Sequence, residues 1–166
     1  VLTENLDYYI NLYDTWSSYS VESEGVFIAY TSVYGNTKKA VEKFAEILKA
    51  KGCPKVAVAD LAREDMAECV EDAFKYGKIV LATTTYTNDI FPFMKDFIHH
   101  LTGRNYQNRT IGLIENGTWN PLAAKVMTKM FENSKNITFC PTVVTIKTAM
   151  NDETVNGLEK LAEEIL

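Results

Sequence analysis

The chain has 166 residues, 46% of them hydrophobic, with 8 Gly and 4 Pro, which suits one globular domain with a real core and excludes a fibrous or disordered chain. A formal net charge of −5 argues against a nucleic-acid binder, which would carry a basic face, and no apolar run reaches membrane-spanning length. Cys53, Cys69 and Cys140 are odd in number, widely spaced and free of a C-x-x-C pair, the pattern of reduced thiols in a cytoplasmic protein.

No signal peptide is visible, and a start at Val1 rather than Met is what a piece of a longer chain would show. Residues 1–24 read as a lead segment, with Y-Y-I-N-L-Y-D-T-W-S at 8 to 17 as a helix. A single domain is expected over 25–166.

Val26 to Tyr30 are five apolar or aromatic residues in a row, a short buried strand. A loop of hydroxyls, one Gly and one Asn follows, and Thr37 to Lys51 then has helical spacing, with Ala40, Phe44, Ile47 and Leu48 as its core stripe. Gly52-Cys53-Pro54 stops that helix. Further strands are expected at Lys55–Ala59, Ile79–Thr83, Thr110–Glu115 and Thr142–Ile146. Helices are expected at Asp65–Tyr76, Phe91–Thr102, Pro121–Glu132 and Asp152–Leu166. Short, nearly continuous apolar strands alternating with helices predict an α/β fold, a parallel five-stranded sheet with helices on both faces. Such sheets bind ligands at the carboxyl ends of their strands, where the strand order reverses.

Three loops leave that edge. In the first, the helix start offers unpaired, outward-pointing N–H groups and a dipole that favours an anion. Thr31, Ser32 and Thr37 add hydroxyls and Asn36 an amide, while Val33, Tyr34 and Gly35 supply backbone N–H. All are neutral, so the expected guest is a phosphate. The loop lacks the G-K-[ST] of a Walker loop and the G-x-G-x-x-G of a dinucleotide fold. The second loop, residues 83 to 89, holds Thr84, Thr85, Tyr86, Thr87 and Asn88; the third holds Asn116, Gly117, Thr118 and Trp119. Tyr86 and Trp119 are the aromatics of these two loops, suited to cover a flat ring, and the reading requires both near the mouth formed by Ser32 to Thr37. Structural roles compete at each place: Tyr86 as a surface tyrosine, Trp119 as a helix cap, Asn88 and Asn116 as turn formers. Gly117 is expected to supply a positive φ or a close backbone approach.

The first loop resembles the flavodoxin phosphate loop T/S-x-T-G-N-T. Ser32, Gly35, Asn36 and Thr37 match, and Val33 and Tyr34 depart from its usual hydroxyls. Over residues 25 to 166 the chain resembles flavodoxin-like FMN domains, most closely the C-terminal domain of flavo-diiron proteins. There the second loop commonly reads P-T-Y-N-N, against T-T-Y-T-N at 84 to 88. The third commonly reads G-S-x-G-W, against the looser E-N-G-T-W. Residues 8–17 look like the stretch joining the metallo-β-lactamase-like di-iron domain to the flavin domain; a helix packing its own domain is the alternative.

The resemblance implies a flavodoxin-like three-layer sandwich with strand order 2-1-3-4-5. It implies FMN held by residues 31–37, 84–88 and 116–119, and an electron carrier with no catalytic side chain and no metal of its own. A net-negative host without Lys or Arg in these loops disfavours added negative charge on the cofactor and lowers its last reduction potential. The implied partner is a redox protein or a covalently linked di-iron domain, with a homodimer left open. His99 and His100, the chain's two histidines, point about 100° apart on a helix and make no chelating face, so oxygen or nitric-oxide reduction would need that other domain. Two alternatives remain: a stand-alone flavodoxin or flavin-dependent quinone or NAD(P)H reductase, and a non-catalytic interaction module on the same fold.

Overall fold

The computed structural model describes residues 4–166; the first three residues of the lead segment lie outside the described residues. In chain order the elements are α1 (Leu6–Ser17), β1 (Ser23–Tyr30), α2 (Asn36–Ala50), β2 (Val56–Asp60), α3 (Met66–Lys75), β3 (Tyr76–Tyr86), β4 (Asp89–Ile90), α4 (Pro92–Thr102), β5 (Arg109–Asn116), α5 (Ala123–Met130), β6 (Ile137–Ile146) and α6 (Asp152–Ile165). The sheet runs β2-β1-β3-β5-β6, with β4 paired to β3 off this path. The five main strands are parallel, so the expected order holds. The addition is β4, two residues antiparallel to the end of β3.

Side-chain alternation divides the interior in two. Val26, Ile28 and Tyr30 of β1, with Val80 and Ala82 of β3, meet α2 and α6. Phe27 and Ala29, with Ile79 and Leu81, meet α3, α4 and α5. On α2 the residues Ala40, Val41, Phe44, Ile47 and Leu48 are all buried. Burying a side chain such as Phe44 or Leu48 stabilises by roughly 1.5–3 kcal/mol. α6 seats closely because Gly112 has no side chain: a Cβ there would meet Val80 and Leu161 carbons at 3.1 and 3.2 Å.

Helix starts follow local chemistry. The Asp65 carboxylate accepts the amides of Ala67 and Glu68 at α3, and Asn151 with Thr154 forms a capping box at α6. α1 stands apart: it buries no residue, and Tyr8, Ile10, Tyr13 and Trp16 are exposed along it.

At the amino edge of the sheet, the buried Arg109 fastens the lead segment down. Its Nη1 donates to the carbonyls of Tyr19 (2.7 Å), Gln107 (3.1 Å) and Asn108 (3.1 Å). Its Nη2 donates to those of Ser20 (3.3 Å) and Phe74 (2.6 Å). Phe74 lies in the last turn of α3, where exposed carbonyls favour a cation.

Candidate functional site

At the carboxyl edge, the loops after β1, β3 and β5 meet around a cleft of about 300 Å³. Ser32, Val33, Tyr34, Asn36 and Thr37 line it from the first loop, Thr84 and Thr85 from β3, and Asn116 to Trp119 from the third loop. Because β3 lies between β1 and β5, its end is the floor and the other two loops are the banks. Every lining side chain is uncharged.

The first bank is shaped by Ser32 and Gly35. Ser32 Oγ accepts the amides of Gly35 (3.1 Å) and Lys38 (3.3 Å), so one hydroxyl closes the turn and serves the first turn of α2. Gly35, at the N-cap, has φ +86°, a left-handed value that glycine adopts at little cost. The amides of Asn36 and Thr37 lie in the first helical turn and have no intrahelical acceptor. Neutral hydroxyls, an amide side chain and free first-turn N–H groups suit a phosphate, with the helix dipole favouring the negative charge.

The floor and second bank are held by side chains that also start α5. Thr85 Oγ1 accepts the amides of Leu122 (3.0 Å) and Ala123 (3.2 Å). Buried Glu115 accepts the amide of Ala124 at 2.9 Å and the Thr145 hydroxyl at 2.9 Å. This explains why α5 begins at Ala123 rather than at the expected Pro121: its caps come from β3 and β5, not from its own sequence. Asn116 Nδ2 reaches Thr37 Oγ1 across the cleft at 3.4 Å. Behind the first bank, Tyr30 has its hydroxyl pKa pushed up to about 12 by burial and by Asp60, so it stays neutral at physiological pH.

Several expected residues stand elsewhere. Thr31 is fully buried and its hydroxyl shares a 2.7 Å hydrogen bond with that of Thr83; it faces the protein interior, not the cleft. Gly35 shapes the loop without lining the cleft. Tyr86, Thr87 and Asn88 also lie off the lining, so the requirement that both aromatics stand at the mouth is met by Trp119 and fails for Tyr86. Thr87 and Asn88 have φ +51° and +59° between the paired Tyr86 and Asp89, a two-residue hairpin loop of the primed kind. That hairpin turns Tyr86 towards α4, where its ring meets Phe91 edge-on at 5.4 Å and lines a separate groove with Lys95 and His99. Trp119 lines the cleft as expected and is open to solvent rather than capping α5. Gly117 is absent from the positive-φ residues; a Cβ there would meet Pro121 Cα at 3.1 Å and Thr85 Oγ1 at 3.2 Å, so close approach is its role.

Thr148, in the loop after β6, lines the cleft without having been expected there. Its hydroxyl lies 2.8 Å from that of Thr118, and its carbonyl lies 3.5 Å from Asn116 Nδ2. The strand-end rule itself points to this loop, since β6 ends at the same edge; the loop lacks the aromatic that marked the other two.

Among the described residues, no helix is long and apolar enough to cross a membrane. A family model described as a flavodoxin domain matches residues 27–150. The chain is 23% identical over 121 residues to the anaerobic nitric oxide reductase flavorubredoxin of Escherichia coli O1:K1, covering 72% of this chain and 25% of the relative. The chain thus spans about a quarter of the length of the curated relatives it matches. Among solved structures, rubredoxin:oxygen oxidoreductase of Desulfovibrio gigas superposes with TM-score 0.87 at 19% identity, covering 96% of this chain and 39% of that one. Flavodoxin 1 of Bacillus cereus superposes with TM-score 0.73 at 14% identity, covering 84% of this chain and 95% of that one.

Proposed function

The chain belongs to the flavodoxin domain family, and on that premise we propose that the cleft holds FMN and that the domain, residues 25–166, is an electron carrier. The observation that carries this is the composition of one cleft: neutral phosphate donors at a helix start on one bank, and a Trp that is 97% exposed on the other. A large apolar side chain left so open at the rim of a polar cleft suits a flat apolar guest.

Ser32, Asn36 and Thr37, with the amides of residues 33–37, would hold the phosphate. Thr84 and Thr85 would border the sugar chain and ring, and residues 116–119 would cover the ring and bond its polar edge. FMN, when bound, supplies the electron-transfer chemistry. The protein's own part is to bind, orient and shield, with no side chain acting as nucleophile or base. The uncharged lining offers no cation to favour extra negative charge in the cleft, which supports a low final reduction potential.

A cytoplasmic domain delivering electrons to a linked di-iron domain, singly or within a homodimer, is the first reading; what favours it is the likeness to a stretch of a longer redox enzyme, a nitric oxide reductase flavorubredoxin of which this chain spans a quarter. It is also favoured by α1, which has no fully buried residue and suits a connecting segment made by residues 1–24. A stand-alone carrier is the second reading, favoured by the match across 95% of the Bacillus cereus flavodoxin. NADH oxidation by the purified chain would instead indicate a reductase.

The test is titration of the purified chain with FMN and riboflavin, followed by flavin fluorescence. The double variant Ser32→Ala/Thr37→Ala weakens FMN far more than riboflavin, because riboflavin lacks the phosphate. Equal losses contradict the assignment of the first loop, and no binding of either flavin by the wild type ends the FMN reading.

A further inference from the structure

Tyr34 and Trp119 are the two most exposed large apolar side chains among the described residues, at 92% and 97%, and both line the same cleft. They stand on its opposite banks. Tyr34 follows β1 and Trp119 follows β5, with the end of β3 between them. Neighbouring strands lie about 4.8 Å apart, so the ends of β1 and β5 are roughly 10 Å apart. That width admits one flat ring with an aromatic on each side at ordinary stacking distance, about 4.5–5 Å between centroids.

The first loop presents Tyr34 outward for a local reason. Ser32 Oγ draws in the amides of Gly35 and Lys38, and Val33 and Tyr34 form the outside of the turn so closed. A bulky aromatic replaces a hydroxyl residue here, and it makes none of the aromatic pairings that occupy Tyr86. Tyr86 is only 50% exposed and belongs to the groove over α4.

We propose that Tyr34, on the phosphate loop, is the second aromatic wall of the ring site, facing Trp119, and that Tyr86 lies outside it. Tyr34 is then a positioning residue for the cofactor ring and not only a donor of backbone N–H. The inference rests on the FMN reading given above.

The test uses riboflavin, which keeps the ring and lacks the phosphate, alongside FMN. Wild type, Tyr34→Ala, Tyr34→Phe, Tyr86→Ala and Trp119→Ala are titrated by fluorescence quenching. Tyr34 is nearly all in solvent, so its truncation opens no core. Tyr34→Ala and Trp119→Ala each weaken riboflavin about three- to tenfold, the range set by one lost aromatic stack. Tyr34→Phe restores binding, and Tyr86→Ala changes it less than about twofold. Riboflavin binding unchanged in Tyr34→Ala, or lost in Tyr86→Ala instead, overturns the inference while leaving the FMN reading in place. A wild-type chain that binds neither flavin overturns both.

Discussion

The hydroxyls of Thr31 and Thr83 lie 2.7 Å apart with both residues fully buried, tying the residue after β1 to β3. Each hydroxyl is the other's partner, and this sets an asymmetry. Thr31→Val or Thr83→Val alone leaves one buried hydroxyl without a partner and costs about 1–3 kcal/mol. The double variant costs less than the two together, because two apolar groups of the same shape replace the pair. Urea unfolding of the four proteins reads the cycle. Because the Thr31 hydroxyl is committed to Thr83, Thr31→Val lowers stability more than flavin affinity.

Arg109 gives a second prediction. Its four Nη hydrogens meet five backbone carbonyls, and its Nε is buried without a partner. Burial lowers its pKa from the ordinary arginine value. Arg109→Met keeps much of the bulk but removes every donor, and with charge-assisted bonds worth about 1.5–3 kcal/mol each it costs at least about 2 kcal/mol. The released carbonyls of Tyr19 and Ser20 no longer anchor the lead segment. Limited proteolysis within residues 4–22 therefore speeds up by more than global unfolding accounts for.

The thiols predict an alkaline weakness. Burial, then nearby acidic side chains, pushes the Cys69 thiol up to about 11, and burial, then Glu164, does the same for Cys140, each from an ordinary value of 9.0. Below pH 9 both the folded and unfolded chains keep these protons. Above it the unfolded chain releases them first, so it binds fewer protons and stability falls as pH rises through the window from about 9 to about 11. Urea midpoints at pH 8 and pH 10 test the slope, and Cys69→Ala/Cys140→Ala flattens it. At pH 8, iodoacetamide modifies half-buried Cys53 before either buried thiol.

Two glycines separate clash from strain. Gly25 has φ +142°, and a Cβ there would run into the Lys55 carbonyl oxygen; Gly25→Ala must push β1 off the turn that precedes β2. Gly35 has φ +86° with open space around it, so Gly35→Ala carries only the left-handed strain, roughly 1–2 kcal/mol. Thermal unfolding orders the two, with Gly25→Ala the lower.

The layered fold was legible because short unbroken apolar runs alternate with stretches of helical spacing. Val26 to Tyr30 read as a strand and the Ala40–Leu48 stripe as a helix, and both sit in the core. The strand order came from the likeness of the loops to the flavodoxin pattern, and the edge where they meet from the rule that parallel sheets bind ligands at their strands' carboxyl ends. What escaped was decided by contacts across the sheet. Tyr86 was expected at the mouth because T-T-Y-T-N-D reads as a loop. In the structure β3 runs on through Tyr86 and folds back at Thr87–Asn88, and a β-branched residue at positive φ gives no forewarning of such a turn. The start of α5 depends on Glu115 and Thr85, distant in sequence. Thr148 carries no aromatic neighbour to mark it.

Thr85 joins the floor of the cleft to a helix. Its oxygen takes two amide hydrogens from the beginning of α5, which leaves its own hydrogen free to be given away. Any guest that accepts that hydrogen makes the oxygen a stronger acceptor and tightens the grip on Leu122 and Ala123. Occupancy at the strand ends will therefore be audible in the opening turn of α5, as slower amide–deuterium exchange at those two positions than in the empty protein.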